Sequence, residues 1–185
     1  MRLLLDAGAD IEAGADGESQ HFTPLHRACY HLPGTDGSCE TIQLEMVQLL
    51  IDKGANVKAT SHAGHTPLHL ASSWNVVIED KTGRLSYTGE GMIRLLLQAG
   101  ADLETPEDKG FRPLHTASLL GDKNAVRALL DAGASTGVTT NSDCAISNCT
   151  ALHLACLCLH PANRQAVVSL LLEAGCEMNA PTCIK

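Results

Sequence analysis

The chain has 185 residues, 44% of them hydrophobic, 18% charged and only 3% aromatic, with a formal charge of −8 and a mean hydropathy of +0.02. That is the composition of a soluble globular chain, large enough for one ordinary domain or one repeat array, and its reliance on Leu and Ala disfavours a β-sandwich. With no run of Lys and Arg to displace counterions, nucleic acid and anionic membrane surfaces are excluded as partners, and no stretch approaches the ~20 apolar residues a membrane insertion requires.

In chain order, the first element is Leu3-Leu4-Leu5-Asp6-Ala7-Gly8-Ala9-Asp10, a helix end closed by a glycine. Asp6 follows the three leucines at once, so the segment is too short for a secretory signal. The expected location is therefore intracellular, cytoplasmic or nuclear. The eight cysteines then read as reduced, buried small residues rather than as the disulfide framework of a short secreted chain.

Next comes Thr23-Pro24-Leu25-His26-Arg27-Ala28, which recurs as Thr66-Pro67-Leu68-His69-Leu70-Ala71, as Arg112-Pro113-Leu114-His115-Thr116-Ala117 and as Thr150-Ala151-Leu152-His153-Leu154-Ala155. Thr before Pro is a helix N-cap followed by a residue that has no N–H to leave unsatisfied in the first turn. Each block is followed by a Leu-rich helix ending in glycine: Leu49 to Gly54, Leu95 to Gly100, Leu129 to Gly133 and Leu170 to Gly175. These second helices are apolar over a wide face and need cover from both neighbours, so the units must stack.

The recurrence of helix start, helix end and turn in order resembles the ankyrin repeat, whose T-P-L-H-x-A motif and period of roughly 33 residues it shares over nearly the whole chain. The resemblance implies an all-α solenoid of stacked helix-turn-helix units with β-turn or hairpin connections. The units are 1–18 (a partial repeat, second helix and turn), 19–60, 61–106, 107–140 and 141–185. The spacings Thr23–Thr66, Thr66–Arg112 and Arg112–Thr150 exceed the period, so insertions are present. Gly54–Thr66 and Gly100–Arg112 have equal length, which puts the extra residues between the helices, at 32–44 and 75–91, as polar surface loops. The unit at 107–140 keeps a short interhelix link, and its extra residues fall within 134–149.

Neither catalysis nor a cofactor has a positive signal. There is no phosphate-cradling Gly-rich loop, no H-E-x-x-H and no G-x-S-x-G. His26, His69, His115 and His153 recur once per unit, and the resemblance implies that each bonds the Thr of its own motif and neighbouring backbone instead of a metal. Arg112 stands where that Thr is expected, so the network should differ there. The last unit gathers Cys144, Cys149, Cys156, Cys158 and Cys183 with His153 and His160. Zinc wants two tight ligand pairs facing each other, but Cys156 and Cys158 lie about 200° apart on a helix, so no metal site is expected. Asn148-Cys149-Thr150 matches a glycosylation sequon, but Thr150 is needed as a cap.

The expected function is a non-enzymatic scaffold holding a protein partner on the concave side, formed in the resembled family by turn tips and the exposed face of the first helix. The slots are the residue before the motif and those seven and eight after its Thr. They are Phe22, Tyr30 and His31; His65, Ser73 and Trp74; Phe111, Leu119 and Leu120; and, in the last unit, Cys149, Leu157 and Cys158. Four of the five aromatics (Phe22, Tyr30, Trp74 and Phe111, but not Tyr87) fall there, while the second helices hold almost only aliphatics. The alternative reading is a regulatory or substrate-receptor segment of a larger enzyme, channel or ligase complex. Val167, Val168, Leu171 and Leu172 make the final helix apolar, and neither end carries a polar cap; this predicts an excerpt of a longer array or a truncated gene product, with fraying or end-to-end self-association of the isolated chain.

Overall fold

The structure, a computed structural model, describes residues 8–14, 21–30, 40–73, 78–79, 85–86, 88–141, 146–158 and 161–178. The elements among them are α1 (Pro24–Cys29), α2 (Glu40–Asp52), α3 (Pro67–Ser72), β1 (Ile78–Glu79), β2 (Leu85–Ser86), α4 (Thr88–Gln98), α5 (Pro113–Leu120), α6 (Lys123–Asp131), α7 (Ala151–Cys156) and α8 (Pro161–Glu173). Odd-numbered helices are the short ones that open each unit, and even-numbered helices are their partners. Each odd helix packs on the next, from α1 through α3 and α5 to α7, and the even helices form a parallel row from α2 to α8. Helix pairs α1/α2, α3/α4, α5/α6 and α7/α8 bridge the two rows, giving the expected stacked solenoid.

Helices of six residues are far below the length at which an isolated helix persists in water, so caps and packing must hold α1, α3 and α7. The motif leucines Leu25, Leu68, Leu114 and Leu152 are buried in one continuous core that runs from Phe22 to Cys176. Each such side chain contributes about 1.5–3 kcal/mol on leaving water. On the other row, Leu50, Leu96, Leu129 and Leu171 are fully buried. The second helices close with the N–H of the residue after the glycine bonded to the carbonyl of these leucines, as in Ala55 N to Leu50 O at 2.9 Å and Ala101 N to Leu96 O at 2.9 Å.

Two expected loops are partly regular. Residues 32–44 were expected to be an interhelix insertion, but α2 begins at Glu40, and Leu44 packs half-buried against the core. Burying that leucine stabilises an early helix start that the polar neighbours concealed. Likewise 75–91 contains the antiparallel pair β1–β2, with Ile78 opposite Ser86 and Glu79 opposite Leu85, and α4 already begins at Thr88. The unit at 107–140 keeps the short interhelix link expected of it, in which Asp122 caps α6 by accepting from Asn124 N and Ala125 N at 3.0 Å each.

The motif histidines join cap to stack. His26 Nδ1 accepts from Thr23 N at 3.3 Å and from the Thr23 hydroxyl at 2.8 Å, while Thr23 Oγ1 accepts from His26 N at 3.4 Å. Its Nε2 donates to His65 O at 3.0 Å. A carbonyl can only accept, so the neutral Nε2–H tautomer is fixed by its two partners. His69 repeats this with Thr66 and Phe111 O, and His115 donates to Val138 O, each across 3.0 Å. The first helix of a unit is thereby tied to the turn that follows its own second helix. Thr150 and His153 form the same cap in the last unit, 2.9 Å apart.

Burial pushes His69 and His115 down from 6.5 to about 4, against the opposing pull of the carbonyl each donates to, and lowers His26 for the same reason. In the unfolded chain these imidazoles protonate near 6.5. Between that value and about 4 the unfolded state binds more protons, so stability falls as pH drops through this window and levels off below it. Each histidine contributes about a tenfold change in the folding constant per pH unit there. Urea midpoints measured at neutral pH and stepwise into this window should fall, and His69→Gln should start lower but decline less steeply. A midpoint indifferent to pH in the window would contradict neutral buried imidazoles.

Candidate functional site

The turns between units are not independent loops. Ser61 N bonds His65 O at 2.9 Å, Glu107 N bonds Phe111 O at 2.9 Å and Thr140 N bonds Cys149 O at 3.0 Å, closing three hairpin tips. The tips are stitched to one another by Asp108 N to Ala63 O at 3.1 Å and Asn141 N to Lys109 O at 3.0 Å. Asn141 Nδ2 adds a bond to Asp108 O at 3.1 Å. The result is a bonded ribbon along one edge of the array, which fixes where the tips stand relative to the first helices.

Two carboxylates reinforce it from the next turn inward. Glu12 Oε1 accepts from Asn56 N and Glu104 Oε1 accepts from Ser135 N, each at 2.7 Å, so a glutamate four residues past the glycine of one unit clamps the backbone of the following turn. Glu104 also explains how the unit without a motif Thr copes. Arg112 cannot accept a hydrogen bond through its side chain, so the hydroxyl half of the cap is lost, and only Arg112 N to His115 Nδ1 at 3.1 Å survives. In exchange, Arg112 Nε donates to Glu104 O at 3.0 Å and pairs with Glu104 Oε2 at 3.1 Å.

The residue preceding each motif was expected to be open to a partner, and here the structure corrects the sequence reading. Phe22 is 5% exposed: its ring stacks on His26, with centroids 5.5 Å apart. His65 and Phe111 are half-buried and meet His69 and His115 edge-on, at 6.0 Å and 6.1 Å. Cys149 is buried. The reason is local: the carbonyls of His65 and Phe111 close their hairpins, and the rings of Phe22, His65 and Phe111 lie against the motif histidine four residues later. His65 Nδ1 is buried without a hydrogen-bond partner among the described residues.

The slots after the first helix fare better. Tyr30 is 40% exposed and Leu157 55% exposed, while Leu119 and Leu120 are half-buried. Ser73 is half-buried and turns its hydroxyl back onto Leu70 O at 2.7 Å. Cys158, expected in this row, is buried. His31 and Trp74 lie outside the described residues, as does Tyr87 as a side chain. One residue of this face escaped sequence reading. Arg27 is exposed on α1, its guanidinium carbon 5.2 Å from the Phe22 ring centroid. The signal was the variable motif position, which reads Arg27, Leu70, Thr116 and Leu154 in turn.

Cys149 and Cys158 are buried while Cys156 is exposed, and Cys144, His160 and Cys183 lie outside the described residues. Among the described residues no three His, Cys, Asp or Glu side chains are grouped to hold a metal ion, and no helix is long and apolar enough to cross a membrane.

Comparison with known families finds a three-copy ankyrin-repeat model matching residues 85–182, more than half of the chain, and a single ankyrin-repeat model matching residues 20–62. Among curated proteins, mouse Ankyrin repeat and SOCS box protein 16 is 41% identical over 70 residues. That stretch is 38% of this chain and 13% of the mouse protein, so the chain matches only a small part of its relative's length.

The rigidity of the ribbon rests on close approach at Gly110, whose φ is +79° and whose missing Cβ would lie 2.6 Å from Asn141 N. Gly110→Ala should destabilise by on the order of 2 kcal/mol, since a side chain there meets both backbone strain and an adjacent tip. Gly137, with nothing within 4 Å of the equivalent position, should tolerate alanine within about 0.5 kcal/mol. Chemical denaturation of both variants tests the ribbon, and equal losses would count against it.

Proposed function

This chain belongs to the ankyrin-repeat family, whose members are in general non-enzymatic modules of protein–protein interaction, and from that premise we propose that it holds a protein partner on its concave side. The observation that carries the reading is the row of partly open apolar side chains at one repeated position, at or just past the end of the first helix: Tyr30, Leu119 and Leu157, with Ser73 as its polar member. Beside them stand Arg27, held over Phe22, and the bonded ribbon of hairpin tips bearing His65 and Phe111. A tyrosine and an arginine on a pre-ordered scaffold are the side chains that most often anchor interfaces, because little conformational freedom is lost when they bind. The acidic balance of the chain favours a basic or neutral partner surface. The cell interior, cytoplasm or nucleus, is the compartment in which we place this activity.

A second reading is that this array is the recognition segment of a larger enzyme, channel or ligase complex. It is favoured by the mouse relative, whose name joins ankyrin repeats to a SOCS box and of which the matched stretch is 13%. Both readings use the same face.

The test is affinity capture from cell extract with the intact chain beside Tyr30→Ala and Leu157→Ala. Both side chains are exposed, so each variant should keep its stability within about 0.5 kcal/mol. Loss of a central anchor should weaken a bound protein by on the order of 2 kcal/mol, about thirtyfold in affinity. Retention of the same proteins by intact chain and both folded variants would overturn the concave-face assignment.

A further inference from the structure

The residue two before each motif takes a left-handed backbone conformation. These residues are His21, Gly64, Gly110 and Asn148, with φ of 46°, 76°, 79° and 52°. Glycine adopts it freely, whereas a side chain there carries a steric cost. Gly64 and Gly110 show that the turn itself does not require an imidazole, so the turn does not explain His21. An outlier of this kind points to a role for the side chain that occupies it.

The register of the tips gives His21 a partner. A Cβ on Gly64 would stand 3.0 Å from Asp108 N, and one on Gly110 would stand 2.6 Å from Asn141 N. Asp108 and Asn141 each follow the residue whose N–H closes its own hairpin, a place that His62 holds in the tip closed by Ser61. The stacking that sets Gly64 against Asp108 and Gly110 against Asn141 therefore sets His21 against His62. The two rings lie with centroids 5.2 Å apart and planes tilted by 47°. The His21 ring also has a seat on the preceding turn: it fills the space a side chain at Gly14 would need, where a Cβ would fall 2.6 Å from Nε2. Both histidines are exposed, so an ion in solvent can reach them.

We propose that His21 and His62 form a two-histidine site for a divalent late transition-metal ion such as zinc, with water in the remaining positions. Imidazole nitrogens bind such ions at about 2.0–2.1 Å, and two rings on one tetrahedral ion then have centres about 5.2 Å apart. The observed separation matches that spacing. The ligands come from two different units, so the ion fastens one tip to the next, as the bond from Asn141 Nδ2 to Asp108 O does further along the ribbon. The net charge of −8 favours a cation, and because only neutral imidazole binds, acid weakens the site.

Titration of the full chain, free of any histidine tag, with cobalt(II) as a spectroscopic stand-in for zinc is the test. The expected result is one bound equivalent with ligand-field bands and no sulfur-to-cobalt charge-transfer band. The melting temperature should rise with cobalt and return on addition of a chelator, and both effects should shrink at mildly acidic pH. His62→Gln, at an exposed position, should melt like the metal-free parent and lose both effects. His21→Gly, which suits the left-handed turn, should stay folded and lose them as well. Cys156→Ser should keep both. No bound cobalt, a spectrum of thiolate ligation, bands retained in either folded histidine variant, or bands lost in Cys156→Ser would each overturn the proposal.

Discussion

A helix of six residues does not persist on its own, and one apolar Leu-rich helix beside it has no core to enter. Every other property of this molecule follows from that mutual insufficiency. The short helices form because Thr or Arg at the cap, proline or alanine in the first turn and a buried leucine all act together; the long helices hold because Leu50, Leu96, Leu129 and Leu171 are fully buried in the shared core. Cooperation between units, not intrinsic helix propensity, supplies the stability.

The motif histidine makes this cooperation directional. One ring nitrogen reads the local backbone of its own helix start and the other reads a carbonyl dozens of residues away, so helix initiation and stacking cannot occur independently. Where Arg112 displaces the capping hydroxyl, the link is not simply lost. Glu104 takes the guanidinium and, through its other oxygen, the next turn, so the energetic burden moves from a cap to an ion pair that is only partly shielded from solvent. That exchange keeps α5 in register while making its start more sensitive to salt than those of α1, α3 and α7.

What could be read from the residues was whatever the period enforces. Leu25, Leu68 and Leu114 repeat because the core repeats, and the order of helix, helix and hairpin was visible for the same reason. Phe22 was misjudged because its ring lies back on the motif histidine four residues later, a side-chain contact that spacing from the motif threonine does not reveal. The early start of α2 was hidden in residues that look like loop until Leu44 is seen against the core. Cys156 occupies the small-residue position filled elsewhere by Ser72 and Ser118, yet it is exposed where they are completely buried, and exposure is a property of neighbours, not of local spacing. Tyr30 and Leu157, by contrast, are exposed, as spacing from the motif threonine suggested.

The division between repeated and varied positions carries the functional logic. Scaffold positions keep their chemistry from unit to unit, as in Leu, His and a small residue, since each must fit the same neighbouring surface. The slot after the first helix reads Tyr30, Ser73, Leu119 and Leu157, with no common size or polarity, because it meets no repeated neighbour. Its side chains can therefore change without disturbing caps, ribbon or core, whereas a change at Leu68 or His69 alters the stack on which every slot depends. Recognition on such a fold is set by which side chains a rigid frame displays, and the frame is rigid here because its tips and first helices are bonded to one another and not merely adjacent.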